Sequence, residues 1–292
     1  MVDYLTEHSF ITPDQSAYLK HFSTQTSLHR VIDDWLESLN EGELVGVCFL
    51  DIKKCFDTIN HDYLLKKLSY YGIETKWFSS YLRNRKQKVK CHGELSSEAE
   101  VDIGVPQGSI LGPFLFLIYA NDIGNFLLDG NINCFADDTI VYTTGDTLEE
   151  ASRKLQECIK GVEKWYKGNK LRVNAQKSKI MYIGTKQRLT NMNPNAFKIF
   201  FGNHILERVT EMKYLGVIID QHLLWDKQCN NVIRNAAHKM SLIRRMSSVL
   251  SEELLSFIYK TYVQPLIDYG ATVWGYCSQE QIQRIQHVIN LT

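Results

Sequence analysis

Residues 133–142, NCFADDTIVY, place Asp137 and Asp138 side by side in an otherwise apolar run. The flanks INCF and TIVY have the composition of buried β-strands, and burial raises the cost of each carboxylate. Successive residues of a straight strand point to opposite faces, so such a strand cannot aim both side chains at one place. A tight turn between two strands can, and aspartate is favoured in turns. The pattern therefore predicts a hairpin, whose aspartates form either an ordinary turn or a functional site.

A third aspartate follows another apolar stretch. Residues 44–52, LVGVCFLDI, come after a Glu-Gly turn and predict a buried strand, with Asp51 near its carboxyl end. If the strands are neighbours, Asp51 converges with Asp137 and Asp138, and the three carboxylates raise one another's pKa. A divalent cation removes this repulsion, and ligands that are all oxygen favour Mg²⁺ or Mn²⁺. Two such ions a few ångströms apart are suited to in-line displacement at phosphorus.

The composition argues against several classes of protein. The chain has 292 residues, of which 44% are hydrophobic and 23% charged, as in ordinary globular proteins. It has no run of 18 or more apolar residues, and residues 1–8 do not resemble a secretory signal, so we expect an intracellular protein with no membrane partner. The seven cysteines are widely spread and lack the spacing of a zinc site, which indicates reduced thiols.

Basic residues are clustered although the formal net charge is zero. Residues 83–90, RNRKQKVK, contain five basic side chains, and residues 164–179 and 234–245 are also rich in lysine and arginine. One such cluster is commonly a solvated face, whereas several on one chain are compatible with a polyanionic partner. The candidate contacts are Arg83, Arg85, Lys86, Lys88, Lys90, Arg234, Lys239, Arg244 and Arg245.

The periodicities predict an α+β core followed by a helical region. Strands are expected at 44–52, 131–136, 139–143, 178–184 and 213–219, with a further hairpin around His92–Gly93. Helices are expected from Ser23 or Thr24 to about Leu39, from the Asn60 cap to Gly72, over 109–127, over 147–168, and throughout the part after Trp225.

Several of these segments, in this order, resemble the reverse transcriptases of LINE-type, non-LTR retrotransposons. FLDIKKCFDTINHDYLLKKL resembles the first palm motif of that family, GVPQGSILGPFLFLIYANDI the second, and FADD the third. NAQKSKIMYIG and YLGVIID resemble the fourth and fifth, and PLIDYGATVWG followed by RIQ resembles the region after the palm. The resemblance covers nearly the whole chain. It implies a right-hand polymerase palm, with a ferredoxin- or RRM-like sheet that carries its helices on one face.

The resemblance also implies an organisation and an activity. Partial fingers would span 1–43, the palm 44–222 with a finger insertion at about 73–103, and a helical thumb-like region 223–292. The activity would be RNA-directed DNA polymerisation by two-metal nucleotidyl transfer in retrotransposition. The implied cofactors are two Mg²⁺ (or Mn²⁺) ions, and the implied partners are an RNA template, a DNA primer and dNTPs. The family works in the cytoplasm and nucleus.

Matching positions acquire roles from the resemblance. Asp51 and Asp137 would be the main metal ligands, with Asp138 beside them and the main-chain carbonyl of Ile52 assisting. Phe56 matches the steric-gate position, where a bulky ring would clash with a 2′-hydroxyl and select dNTPs. The alternative for Phe56 is a place in the hydrophobic core.

The second palm motif implies contacts to the nucleotide. Gln107 resembles the residue that touches the incoming nucleotide and helps to hold the template base. Gly104 and Gly108 would let the backbone approach a ligand closely. A plain strand-to-helix turn is the alternative for this segment. Asp57 and His61 also match the family pattern and are interpreted as structural.

The fourth motif implies a lysine near the triphosphate. Lys177, with Asn174, matches an Asn-x-x-Lys segment, and a lysine near the β- and γ-phosphates could stabilise or protonate the leaving pyrophosphate. Lys179 is an alternative for that role, and a surface lysine is the alternative for Lys177.

Two departures leave the activity open. Relatives carry a basic finger segment ahead of DQSAYLKHFSTQTSL, and residues 15–27 are less basic than usual, so we expect a chain truncated at its N-terminus. A non-catalytic nucleic-acid-binding relic of the same family is therefore an alternative function. A metal-dependent nuclease or phosphatase is a third hypothesis, but no HxxE or HD base motif stands beside the aspartates.

Overall fold

The computed structural model describes residues 2–190 and 197–290. Residue 1 of the predicted fingers, residues 191–196 of the predicted palm and residues 291–292 of the predicted thumb-like region lie outside the described residues. The chain divides into two compact units. Among the described residues, the first unit comprises 2–22, 46–180 and 197–208, and the second comprises 23–45, 181–190 and 209–290.

The described residues contain twelve α-helices. They are α1 Val2–Glu7, α2 Thr24–Asn40, α3 His61–Tyr70, α4 Lys76–Leu82, α5 Leu111–Ala120, α6 Leu148–Gly168, α7 Lys186–Thr190, α8 Asp226–Met246, α9 Glu252–Tyr262, α10 Gln264–Asp268, α11 Ala271–Trp274 and α12 Gln279–Ile289. Two short 3₁₀ helices lie at Cys55–Asp57 and Ile123–Phe126. None of the helices in residues 2–190 and 197–290 combines the length and the apolar character needed to cross a membrane.

The same residues contain thirteen strands. They are β1 Leu44–Leu50, β2 Lys86–Gln87, β3 Lys90–Cys91, β4 Glu94–Leu95, β5 Ala99–Glu100, β6 Asn131–Phe135, β7 Asp138–Gly145, β8 Lys179–Ile183, β9 Phe200–Phe201, β10 His204–Ile205, β11 Glu207–Arg208, β12 Glu211–Tyr214 and β13 Val217–Asp220. Five of them form one sheet in the order β11-β8-β1-β7-β6. The sheet is mixed, because β11 and β8 are parallel whereas β6 and β7 are antiparallel.

The centre of the sheet is buried, as the apolar sequence of β1 predicts. All seven residues of β1 are buried. Helix α6 packs against β7 and buries one apolar face, which includes Leu155, Ile159, Val162 and Trp165. Full burial of each such side chain contributes roughly 1.5–3 kcal/mol. This packing fixes the strand ends from which the candidate site is built.

Several predicted helix starts are confirmed because their capping chemistry is local. Ser23 caps α2 and forms a reciprocal capping box with Thr26. The Asn60 side chain accepts a hydrogen bond from the N–H of Tyr63 at 3.1 Å and caps α3. The hairpin around His92–Gly93 is also confirmed, since β3 and β4 pair on either side of it.

The predicted helix over 109–127 is too long. Helix α5 ends at Ala120, and only a 3₁₀ turn follows. The next residue, the buried Asn121, makes tertiary hydrogen bonds: its side chain accepts from the Thr12 N–H and donates to the Phe10 carbonyl and the Tyr71 hydroxyl. Asn121 still has α-region dihedral angles, and regular helical geometry is lost at Asp122, with φ −100° and ψ 8°.

The single strand predicted at 213–219 is wrong. The segment is a hairpin, in which β12 and β13 pair on either side of Leu215 and Gly216. Both turn residues have positive φ, 43° and 84°, as a two-residue type I′ hairpin turn requires. Leucine rarely adopts this conformation, so the apolar run gave no local signal of the turn.

The second unit has a helical core. Ala236, Met240 and Ile243 on α8 pack with Val263 and with Val288 of α12. The prediction that the chain is helical after Trp225 is confirmed by α8 to α12.

Candidate active site

The β6–β7 hairpin positions two of the aspartates. Phe135 pairs with Asp138, so Ala136 and Asp137 form the turn and Asp138 is the first residue of β7. The hairpin prediction is confirmed, although the turn begins one residue earlier than expected. The reason lies in Ala136, whose φ of 57° places it in the left-handed region at a cost of about 1–2 kcal/mol.

Asp51 directly follows β1, and its main chain is held on both sides. Its N–H donates to Oγ of the fully buried Ser178 at 3.1 Å. Its carbonyl accepts from the N–H of Asn174 at 2.7 Å. The segment that resembles the fourth motif therefore supports the backbone of Asp51.

The next residue, Ile52, forms an antiparallel bridge with Val173. The flanking hydrogen bonds join other residues: one runs from the Lys53 N–H to the Arg172 carbonyl at 2.8 Å, and the other is the bond that Asp51 accepts. In such a pair the bridged residues exchange no hydrogen bonds with each other. The carbonyl of Ile52 therefore takes no part in this pairing.

The three aspartates interact electrostatically. Desolvation raises the pKa of the Asp138 carboxyl, and the negative charges of Asp137 and Asp51 raise it further. Because Coulomb interactions weaken with distance, both charges lie near Asp138. The order of strands agrees with this, since β1 and β7 are adjacent in the sheet. The fold thus brings together side chains that are far apart in the sequence.

The aspartates do not form a ready metal site. Among residues 2–190 and 197–290, no group of three His, Cys, Asp or Glu side chains is arranged to hold a metal ion. Burial and the negative charge of Asp137 raise the pKa of the Cys55 thiol to about 12. The donor types still fit a hard divalent cation, because they are carboxylate oxygens that repel one another, next to a main-chain carbonyl that takes no part in the bridge with Val173.

A pocket of about 390 Å³ adjoins Asp137. Phe56 lines it and is half-buried, with its ring packed against Phe116 at a centroid distance of 5.2 Å. Its position is therefore compatible both with a core role and with a gate role. Gln107 and Gly108 also line the pocket.

The loop that carries Gln107 is docked on the segment after β1. Nε2 of Gln107 donates to Oδ1 of Asp57 at 2.7 Å. The Gly104 N–H donates to the Ile59 carbonyl at 2.7 Å, and Nε2 of the buried His61 lies 2.7 Å from the Gly104 carbonyl. Asp57 and His61 thus support this loop.

The two glycines of the loop differ in their surroundings. Both have positive φ, 87° at Gly104 and 75° at Gly108. A Cβ at Gly104 would lie 2.8 Å from the carbonyl oxygen of Asp57, whereas nothing lies within 4 Å of a Cβ at Gly108. At Gly104 the space beside the main chain is therefore filled by the main chain of Asp57. Of the two glycines, only Gly108 leaves room for a ligand to approach its main chain.

The two lysines considered near the triphosphate are also in different environments. Lys179 pairs with Glu207. Lys177 is exposed in the turn that begins at Asn174, and no ion pair of Lys177 occurs within the described part of the chain. Lys177 is the more available cation.

Most of the basic residues at 83–90 have local partners. Arg83 contacts Asp62 at 3.4 Å, and Lys86 contacts Glu98 at 3.1 Å. Lys88 is exposed and has no ion pair within residues 2–190 and 197–290, and the same holds for Lys90.

The basic residues on α8 differ in their contacts and exposure. Arg234 donates to the Asn231 side chain, and Lys239 lies 3.7 Å from the centroid of the Tyr262 ring. Arg244 and Arg245 are exposed at the end of the helix.

Three further residues belong to the site but did not stand out in the sequence. Tyr18 lines the pocket, and burial together with the charges of Asp137 and Cys55 raises its pKa. Lys54 lines the pocket in a left-handed conformation, and its place between two motif residues could have indicated it. Ser178, which holds Asp51, carried no local signal.

Comparison with known proteins identifies the family. Residues 1–219 match the family model described as reverse transcriptase (RNA-dependent DNA polymerase). The chain is 27% identical, over 99% of its length, to a probable RNA-directed DNA polymerase from transposon BS of Drosophila melanogaster, and it covers 33% of that protein. It is 31% identical, over 92% of its length, to the RNA-directed DNA polymerase from mobile element jockey of Drosophila funebris, and it covers 30% of that protein.

The fold has a solved counterpart. The structure of telomerase from Candida tropicalis, in complex with the TWJ fragment of telomeric RNA, matches 99% of this chain and 48% of the telomerase chain, with a TM-score of 0.55 and 14% sequence identity. The fold is that of a polymerase palm with fingers, so the predicted α+β polymerase architecture is confirmed. The chain belongs to the reverse transcriptase family, and its relatives are polymerases of LINE-type, non-LTR elements, as the motifs predicted. It spans about a third of the length of these curated relatives.

Proposed function

We propose that this chain is the polymerase domain of a reverse transcriptase that copies RNA into DNA in retrotransposition. The observation that carries the proposal is the interaction of Asp51 and Asp137 with Asp138 at adjacent strands of a palm sheet. Three mutually repelling carboxylates weaken a fold, and they are useful where a polyphosphate reacts. No observation in the described residues favours the non-catalytic alternative.

The proposed cofactors are two Mg²⁺ (or Mn²⁺) ions. Asp51, Asp137 and the carbonyl of Ile52 would hold them, with Asp138 beside them. When bound, the ions supply activation of the primer 3′-hydroxyl and neutralisation of triphosphate charge.

The proposed substrates are an RNA template, a DNA primer and a dNTP. The pocket beside Asp137 is the proposed nucleotide site, where the Phe56 ring excludes a 2′-hydroxyl. Gln107, oriented by Asp57, and Gly108 would contact the nucleotide from the opposite loop. Lys177 would stabilise the leaving pyrophosphate, since Lys179 is already paired.

The proposed organisation follows the family. Partial fingers at 1–43 precede a palm at 44–222 with a finger insertion at about 73–103, and 223–292 form a thumb-like region. The basic residues proposed to contact nucleic-acid phosphates are Arg83, Arg85, Lys86, Lys88, Lys90, Arg234, Lys239, Arg244 and Arg245. The proposed compartments are the cytoplasm and nucleus.

Primer extension tests the proposal. The chain is incubated with a DNA primer on an RNA template, dNTPs and Mg²⁺, and we expect the primer to be extended. Asp137→Ala should abolish extension and keep the affinity for the primer–template with its salt dependence, because phosphate contacts lie elsewhere. Asp33→Ala, which removes an exposed aspartate on α2, is the matched control and should remain active. A wild-type chain that binds without extending the primer would instead support the non-catalytic alternative.

A further inference from the structure

Three side chains on and after α4 form a stacked row, which we call the stacking ladder: Trp77, Tyr81 and Arg85. The rings of Trp77 and Tyr81 are parallel within 6°, with centroids 5.5 Å apart. The guanidinium carbon of Arg85 lies 5.4 Å from the Tyr81 ring centroid. Trp77 and Tyr81 are four residues apart and so lie one turn apart on the same face of α4, whereas Arg85 follows the end of the helix at Leu82.

The exposure of Trp77 sets it apart from the other tryptophans. Of the five tryptophans in the chain, Trp35, Trp165, Trp225 and Trp274 are at most 5% exposed, whereas Trp77 is 57% exposed. Its one further aromatic neighbour among the described residues is Phe78, which meets it edge-on. A flat and largely apolar ring therefore remains in water, although tryptophan is strongly buried on average.

The charged side chains from Tyr81 to Lys90 are all positive. Arg85 carries its charge within the ladder, Lys88 lies between β2 and β3, and Lys90 begins β3; both lysines are exposed and have no ion pair in the described part of the chain. The combination of an exposed Trp77 ring with nearby basic side chains suits a polyanion that has exposed bases. A duplex hides its base faces, and an apolar peptide gains nothing from the lysines.

We propose that the stacking ladder binds an unpaired nucleic-acid strand, with a base stacked on the exposed Trp77 ring, which Tyr81 supports, and with phosphates near Arg85, Lys88 and Lys90. Stacking uses the π-face that every base has, so the contact is independent of sequence. The inference rests on the proposed function only for naming the strand as template. The binding itself needs no metal ion, no dNTP and none of the three aspartates.

The stacked pair also has a purely structural interpretation. Aromatic side chains four residues apart stabilise a helix, and α4 has only seven residues. A ladder with only this role would lower thermal stability when it is removed and would leave nucleic-acid affinity unchanged. The two interpretations therefore differ in a direct binding measurement.

Intrinsic fluorescence gives the first test. The chain is titrated with a 12-nucleotide oligo-uridine in chelator without dNTPs. Because the other four tryptophans are buried, we expect quenching from Trp77, and Trp77→Phe should remove the change. An unchanged spectrum at saturating oligonucleotide would overturn the proposal.

Anisotropy of the labelled oligonucleotide gives the second test. Trp77→Ala and Tyr81→Ala should each weaken binding about tenfold, Trp77→Phe should bind within about threefold of wild type, and Tyr276→Ala, which removes an 86% exposed ring elsewhere, should not weaken it. Oligo-deoxythymidine should show the same reductions in affinity, because RNA and DNA share base stacking.

Two results would overturn the inference. One is unchanged affinity in Trp77→Ala with a lower melting temperature, which would leave only the helix-stabilising role. The other is a loss of affinity for a blunt duplex in Trp77→Ala that equals its loss of affinity for the single-stranded oligonucleotide, because a duplex offers phosphates but no free base faces. Asp137→Ala should bind the oligonucleotide like wild type, so a failure of the proposed polymerase activity would not be mistaken for a failure of the ladder.

Discussion

Asp138 carries an electrostatic cost in the metal-free chain. Its pKa is raised by desolvation and by the charges of Asp137 and Asp51, so ionisation of this carboxyl opposes folding. The cost is absent below the unfolded-state pKa of about 3.9, grows as the pH rises, and is complete above the folded-state pKa. Groups with this kind of perturbation cluster at functional sites.

Asp138→Asn should therefore stabilise the metal-free chain. Thermal unfolding followed by circular dichroism in chelator should show a higher melting temperature than wild type at pH 7.5, with a gain that shrinks toward pH 4. Added Mg²⁺ should reduce the difference in melting temperature between Asp138→Asn and wild type, because a bound cation relieves the same repulsion in the wild type. A variant less stable than wild type at pH 7.5 in chelator would contradict the repulsion.

Substitution of Phe56 tests whether its ring selects the sugar of the nucleotide or only packs in the core. In Phe56→Val the ring that borders the pocket is shortened, and we expect the preference for dNTP over rNTP to fall on the order of tenfold or more. The measurement is the ratio of kcat/KM for single-nucleotide incorporation. Phe116→Leu, which alters the packing partner of Phe56 outside the pocket, is the control and should lower stability without changing the ratio. Equal effects of the two variants would assign Phe56 to the core.

At the scale of elements, the loop from Gly104 to Gly108 acts as one unit with the segment after β1. Three contacts fix the loop in place. The Gly104 N–H donates to the Ile59 carbonyl, Gln107 donates to Asp57, and His61 contacts the Gly104 carbonyl. A glycine at the tightest point permits this docking, since the main chain of Asp57 occupies the space of a Cβ. Displacement of the loop would move Gln107 relative to the pocket.

Gly104→Ala should be more destabilising than Gly108→Ala. Both alanines must adopt positive φ, which costs about 1–2 kcal/mol each. Only the Gly104 variant adds a clash with main-chain atoms, for which about 1–3 kcal/mol more is expected. The free energies of unfolding in urea measure the difference, and equal destabilisation would show that the loop yields at Gly104.

At the scale of the whole molecule, the sheet assembles the site from distant parts of the chain. Asp51 follows β1, and Asp137 and Asp138 lie in the β6–β7 hairpin. Asn174 and Ser178, from a third segment, form hydrogen bonds with the main chain of Asp51. Basic residues occur in both compact units, at 83–90 in the first and at 234–245 in the second. The domain limits taken from the family stay predictions.

Neutralising exposed basic residues should weaken nucleic-acid binding without changing sequence preference. Lys88→Gln with Lys90→Gln, and separately Arg244→Gln with Arg245→Gln, should lower the affinity for primer–templates of any sequence about equally. The slope of log affinity against log salt should fall by about one for each phosphate that the variant no longer neutralises. Arg153→Gln, which removes an exposed arginine paired with Glu157, is the control and should leave the slope unchanged. An unaltered slope in either double variant would remove that pair from the interface.

Much of the local structure was predictable because its causes lie within a few residues. Ser23 and Asn60 cap helices through neighbouring N–H groups, and the apolar run at 44–52 contains a buried strand. The hairpin at Asp137 and Asp138 follows from the same kind of pattern. Motif order also identified the family, since it depends on residue types at fixed spacings.

The sequence by itself therefore determined many of the elements, the family and the candidate aspartates, but not the hairpin at β12 and β13 or the end of α5. Tertiary structure alone decided what each polar group contacts: Gln107 donates a hydrogen bond to Asp57, and Ser178 accepts one from the Asp51 N–H. It also joined the Asn121 side chain, at the end of α5, to Thr12 and Phe10, which are distant in sequence. Such contacts depend on which strands and loops become neighbours, and that arrangement results from packing over the whole core, for which no short stretch of sequence carries a signal.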